Sequence, residues 1–201
     1  DRGTLVALES LYEELGDAPA LLGVLERRAE VAETDADKKE LLFRRARLLA
    51  DKLVDRPRAI EVYETILDLD LDRVAVDALE SLYGAEERWE DLVSLYQRQL
   101  DAPGAAPADL HVKVARVASR HLGDATRAFD ELEAALDLDR QQEGAIAELE
   151  RVLASDDDKD QRARAAGLLE PIYLVRADYA RVMRSISARL DATEDAAERR
   201  E

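Results

Sequence analysis

Arg58–Asp70 reads RAIEVYETILDLD, and the segment returns at Arg127–Asp139 as RAFDELEAALDLD, a spacing of 69 residues from 58 to 127. A second echo joins Leu8–Tyr12 to Leu79–Tyr83, both LESLY, at a spacing of 71 (8 to 79). A third joins Tyr12–Glu40 to Tyr173–Glu201 at 161 (12 to 173) and closes on ETDADKKE against EDAAERRE. Self-similarity on this scale is the mark of a chain built by stacking one supersecondary unit on the next.

The unit is helical. In the quoted stretch Ala59, Ile60, Tyr63, Ile66 and Leu67 recur at steps of three and four residues, the apolar stripe of an amphipathic helix. Before it, Leu42, Ala46, Leu49 and Leu53 keep the same spacing, with Arg44, Arg47 and Asp51 on the other side. Asp55-Arg56-Pro57 separates the two, because proline is tolerated in a helix's first turn and not in its middle. Asp72 has the place of an N-cap, with Val74, Ala75, Ala78, Leu79 and Leu82 turned inward after it. Continued along the chain, the pattern predicts helices over 4–15, 18–33, 37–54, 56–69, 73–84, 87–100, 107–122, 124–138, 142–154, 160–175 and 177–192. No stretch alternates with the period of a strand. The breaks at Ala102–Pro107 and Ser155–Asp160 are too short for domain linkers, so residues 1–201 read as one solenoid.

Composition suits this reading. Apolar residues make up 47% of the 201 and aromatics only 4%, material for helices packed through Ala and Leu. The 29 basic and 46 acidic residues leave a net charge of −17. Such a balance excludes a general nucleic-acid or anionic-membrane surface, both of which need a basic footprint. There is no cysteine, hence no disulfide or thiolate metal site. No apolar run reaches the ~18 residues of a membrane span, and the first residues have no signal-peptide pattern. The chain opens on Asp1, and Asp195–Glu201 stops where its earlier copy runs on into a helix, so both ends read as cut from a longer array. The cytoplasm is the default compartment, with the periplasm open if a signal peptide lies outside these residues. Arg outnumbers Lys 24 to 5 and Asn is absent, a bias of GC-rich, bacterial genomes.

The pair Glu40–Leu53 and Pro57–Asp70 resembles a tetratricopeptide repeat, a helix–turn–helix of about 34 residues. Ala46 stands where that family places a small first-helix residue. Ala59 and Tyr63 match its second-helix alanine and aromatic, and Leu67-Asp68 matches the start of its closing motif. The marks recur at Trp89, Leu92 and Tyr96, and again at Ala115, Gly123-Asp124, Ala128 and Ala135-Leu136. Arg47 and Arg116 fill or adjoin the family's first-helix glycine, while Leu71 and Arg140 replace its closing proline. Leu79–Tyr83 has two partial later copies, Leu149–Leu153 and Leu169–Tyr173, which implies an added helix near 155–175. The resemblance implies an all-α, right-handed α–α superhelix of about eleven antiparallel helices.

Catalytic chemistry is scarce. No phosphate-cradling glycine loop, His-Glu-x-x-His or Ser–His–Asp set is present. His111 and His121 are ten residues apart on one predicted helix, which turns them to different faces and argues against a shared metal. Asp156–Asp160 (DDDKD) lacks the glycine and distal Glu of a calcium loop and reads as a solvated connection. Pro171 would remove the helix bond to Gly167 and bend the helix around it.

The charge pattern is the one candidate site. Residues 38–53 carry six basic and two acidic side chains, and 110–122 carry three basic, two His and no acid; the helices that follow are acidic. Arg44 and Arg47 recur as Lys113 and Arg116, with Arg120 further on. The resemblance places first helices on the concave groove of the array. Two readings stay open: these cations clamp carboxylates of a partner, or they neutralise acidic neighbours in the stack. The expected function is a non-enzymatic protein–protein interaction scaffold with no cofactor or metal, engaging a peptide or helix with an acidic docking segment. The alternatives are a structural or self-assembling spacer of an envelope or motility complex, associating through its array ends, and a regulatory segment of a multidomain enzyme.

Overall fold

The structure is a computed structural model that describes residues 2–155 and 158–198, with side chains described through Thr193. Among the described residues eleven α-helices follow in order: α1 Arg2–Leu15, α2 Ala18–Glu30, α3 Asp35–Arg47, α4 Arg56–Leu69, α5 Arg73–Ala85, α6 Trp89–Leu100, α7 Pro107–Val117, α8 Ala125–Leu138, α9 Glu143–Ala154, α10 Lys159–Val175 and α11 Tyr179–Glu198. Among the described residues there is no strand. Two departures from the expected spans have local causes. Helix α2 stops at Glu30 because Thr34, extended at ψ 152, accepts from the Asp37 amide and so starts α3 early. Helices α3 and α7 do not close as α-helices: each ends in a π-helical turn, Leu48–Leu53 and Ala118–Leu122. At the third echo, helix α11 continues through Glu198, past the place where its earlier copy turned. The closing segment of that second copy, 194–201, lies outside the described side chains, as do Asp156 and Asp157 of the acidic loop.

The chain divides into two compact units, 1–95 and 96–201. In the first, α2 packs on α1 and α3, α4 on α3, and α5 on α4. Leu25, Leu49, Ile60, Ile66 and Leu79 fill its interior and are almost entirely buried. In the second, α8 packs on α7, and α10 on α9 and α11, around Val114, Leu149, Leu169 and Tyr173. Burial of each such side chain stabilises by about 1.5–3 kcal/mol. Helix α10 runs unbroken through Pro171, whose exposed ring lines a cleft with Leu136, Gly167, Leu168 and Val175.

The sequence echoes return as backbone geometry. Gly16, Glu87 and Ala177 all have positive φ (67°, 54° and 54°), and each lies four residues after a tyrosine: Tyr12, Tyr83 and Tyr173. The amide that follows bonds back to that tyrosine's carbonyl, Asp17 to Tyr12, Arg88 to Tyr83 and Asp178 to Tyr173, at 2.9–3.0 Å. This is the left-handed helix cap that reverses a chain within two residues. The spacings of 71 (16 to 87) and 161 (16 to 177) are those of the second and third echoes. Val54 (φ 53°) and Gly123 (φ 66°) repeat at 69, the first echo, and close the π turns: Asp55 bonds to Leu49 and Asp124 to Ala118, one residue wider than the tight cap. At four of the five turns the next residue is an aspartate whose carboxylate accepts an amide of the new helix: Asp17, Asp55, Asp124 and Asp178. Helix pairs α1–α2, α3–α4, α5–α6, α7–α8 and α10–α11 are joined this way, and α9 stands between hairpins. Asp72, expected as an N-cap, accepts from the amides of Val74 and Ala75.

Candidate interaction surface

The five cations singled out in the sequence lie on α3, α7 and the turn that closes α7. Arg44 pairs with two acids of α1, Glu9 and Glu13. Glu9, buried, is also held by Arg28 of α2. Arg47 lies 6.0 Å from the Phe43 ring centroid, and its charge acts on the Tyr63 hydroxyl. Burial nonetheless raises the Tyr63 pKa above its ordinary value. In the second unit Lys113 sits 5.0 Å over the Tyr96 ring. Arg116 Nε donates to Glu148 Oε1 at 2.8 Å, and Arg120 donates to the same oxygen at 2.6 Å. Arg151 Nε reaches the other oxygen at 3.1 Å, and its Nη2 donates to Ser119 at 3.1 Å.

Three arginines therefore converge on one carboxylate. Burial, the largest influence on Glu148, would raise its pKa; the bonds from Arg120, Arg116 and Arg151 together outweigh it and hold the carboxyl below the ordinary value. The arginines keep roughly half their side-chain surface in water. Glu9 and Glu148 are the buried carboxylates among the described residues, and each ties its own helix to the next-but-one, α1 to α3 and α9 to α7. Neither was singled out from the sequence. The available signal was an acid among stripe positions: Glu148 is three residues from Ala145 and four from Val152, where Leu or Ala is the rule.

The geometry does not bring the histidines together. His111 Nδ1 lies 2.6 Å from Glu131 Oε2 of α8, whereas His121 is exposed on the π turn that closes α7. No group of three or more potential metal ligands occurs among the described residues, and no described helix is long and apolar enough to cross a membrane.

Fold and surface together define an α-helical repeat protein. The tetratricopeptide repeat profile matches residues 4–39 and 75–108, so these two segments are similar to tetratricopeptide repeats. The matched segments begin 71 residues apart (4 to 75) and coincide with hairpins α1–α2 and α5–α6, whereas the sequence resemblance was carried chiefly by α3–α4 and α7–α8. No curated protein matches the chain. Similar solved structures include a MamA RS-1 double mutant (14% identity over 97% of this chain and 96% of that one, TM-score 0.43). Others are a crystal structure of MamA (15%, 95% and 97%, TM-score 0.41) and MamA MSR-1 (14%, 95% and 98%, TM-score 0.38). Repeats of this kind are scaffolds for contact with other proteins.

Proposed function

We propose that this protein is a non-enzymatic scaffold whose first helices present a basic face to an acidic segment of a partner peptide or helix. The observation that carries the reading is the Glu148 site. Arg116, Arg120 and Arg151 already gather around a carboxylate and remain half exposed, so their outward N–H groups can take a second one. Arg44 and Arg47 occupy the corresponding helix of the first unit and Lys113 stands on the same helix as Arg116 in the second, and the protein's acidic remainder would repel the same segment elsewhere, which favours each basic helix by itself.

The test is fluorescence anisotropy with a labelled peptide of alternating Asp and Glu at low and physiological salt. Replacing Arg47 and Arg120 by Gln, which removes both charges, leaves Glu148 with Arg116 and Arg151 and sets no new acid beside it, should weaken binding severalfold with only a small loss of Tm. Binding should also fall with salt, because exposed pairs are screened over ~8–10 Å. Salt-independent binding, or binding indifferent to the double replacement, refutes the basic-face reading.

A further inference from the structure

The first unit serves as an internal control for the three-arginine site of the second. The spacing of 69 carries Arg116 and Arg120 back to Arg47 and Asp51. The spacing of 70 that relates Leu149–Leu153 to Leu79–Tyr83 carries Glu148 and Arg151 back to Ala78 and Ser81. At these places the first unit therefore has one cation, one acid, and an alanine where Glu148 is buried. It nonetheless packs α4 on α3 and α5 on α4, with Leu49, Ile60 and Leu79 enclosed as fully as Val114 and Leu149. Stacking of the unit does not need the cluster.

Holding a buried carboxylate does not need three arginines either. Glu9 is held by Arg28 and Arg44, and Arg44 also pairs with Glu13, so the charges that meet there cancel. Around Glu148 three positive charges meet one negative, an excess of two. The contacts already made occupy Arg116 Nε, Arg120 Nη2 and Arg151 Nε on Glu148, and Arg151 Nη2 on Ser119. Each guanidinium carries five N–H donors, so most remain available, on side chains 45–48% exposed. Ser119 accepts from Arg151 and keeps its own O–H to donate.

We propose that Arg116, Arg120 and Arg151 bind a phosphomonoester carried by a partner peptide, with Ser119 as a further donor. A phosphoryl group on serine or threonine brings a charge of about −1.5 to −2 and three acceptor oxygens. It matches an excess of two charges presented on three planar forks, whereas a single carboxylate would leave half of that excess standing. A phospholipid surface is a poor source of the group, because 46 acids against 29 bases oppose its approach. The inference rests on the scaffold reading and names what the partner's acidic segment carries where it meets the second unit.

The probe is a fluorescein-labelled Gly-Ser peptide with one central phosphoserine, titrated with the 201-residue chain and followed by anisotropy beside its serine and glutamate forms. The phosphopeptide should bind saturably and roughly tenfold more tightly than the glutamate form, and the serine form should not bind. Arg120→Gln and Arg151→Gln each leave Glu148 two arginines, the number that holds Glu9, so the dichroism spectrum should not change. Each should cut the preference for phosphoserine roughly threefold or more, whereas Arg47→Gln in the first unit should leave it as it was. Equal affinity for the phosphoserine and glutamate forms, or a preference that survives both replacements, overturns the phosphate assignment. The alternating Asp and Glu peptide, run beside them, reports on the scaffold reading separately. Inorganic phosphate should displace the peptide only far above the peptide's Kd; displacement at that concentration would show that the peptide adds nothing and would overturn the assignment to a phosphorylated partner.

Discussion

Val54→Gly should stabilise this protein, although it removes a side chain. Val54 sits at φ 53°, ψ 34°, the left-handed conformation that closes the α3 hairpin, and its equivalent in α7 is Gly123 at φ 66°. An L-residue there costs about 1–2 kcal/mol, and a β-branched one belongs at the upper end. Glycine escapes that strain but loses more backbone entropy on folding, about 0.5–1 kcal/mol. Val54 is 68% exposed, so little burial is forfeited. The difference is a gain of about 0.5–1 kcal/mol, worth ~1–4 °C in Tm for a chain of this size. The reciprocal Gly123→Val should lose about 0.5–1 kcal/mol, the strain less the same entropy difference, because nothing within 4 Å would reward the new side chain. Urea denaturation of both variants beside the parent measures the two effects in opposite directions. A destabilised Val54→Gly, or a neutral Gly123→Val, would refute the argument that these turns demand left-handed backbone.

Two further outcomes follow from the buried carboxylates. Arg44→Glu sets a third acid against Glu9 and Glu13 and leaves Glu9 with Arg28 alone, so stability should fall by about 2–4 kcal/mol by urea denaturation, against near neutrality for Arg47→Glu. Glu148 has its folded pKa below the ordinary 4.5, so its ionised contacts stabilise the fold above about pH 4.5 and that contribution is lost as pH falls through the folded value. Glu148→Gln should therefore cost about 1–2 kcal/mol at pH 7, discounted for the half-exposed arginines, and progressively less in acid; a gap that widens on acidification refutes the assignment.

The helices were legible because their stripes are nearly unbroken, and Asp55, Asp72 and Pro57 marked their starts. The turns were only half legible. Gly16 and Gly123 announce left-handed backbone, but Glu87, Ala177 and Val54 adopt the same conformation through their place in the repeat, which residue type alone does not disclose. The cations of α3 and α7 stood out as a charge pattern, but their partners did not. Arg44 meets Glu9 from 35 positions earlier and Arg116 meets Glu148 from 32 later, so the pairing depends on how helices stack and not on any spacing within one helix.

The π turns closing α3 and α7 give the chain a way to keep a length change. Each hairpin they close spends one more residue between its last inward carbonyl and its reversal than the tight-capped hairpins do, six against five. That residue is absorbed as a widened coil, so a single inserted codon leaves no bulging loop behind. Duplicated units can thus drift out of numerical phase while their backbones remain superposable. Both profile matches fall on tight-capped hairpins and neither on a π-closed one.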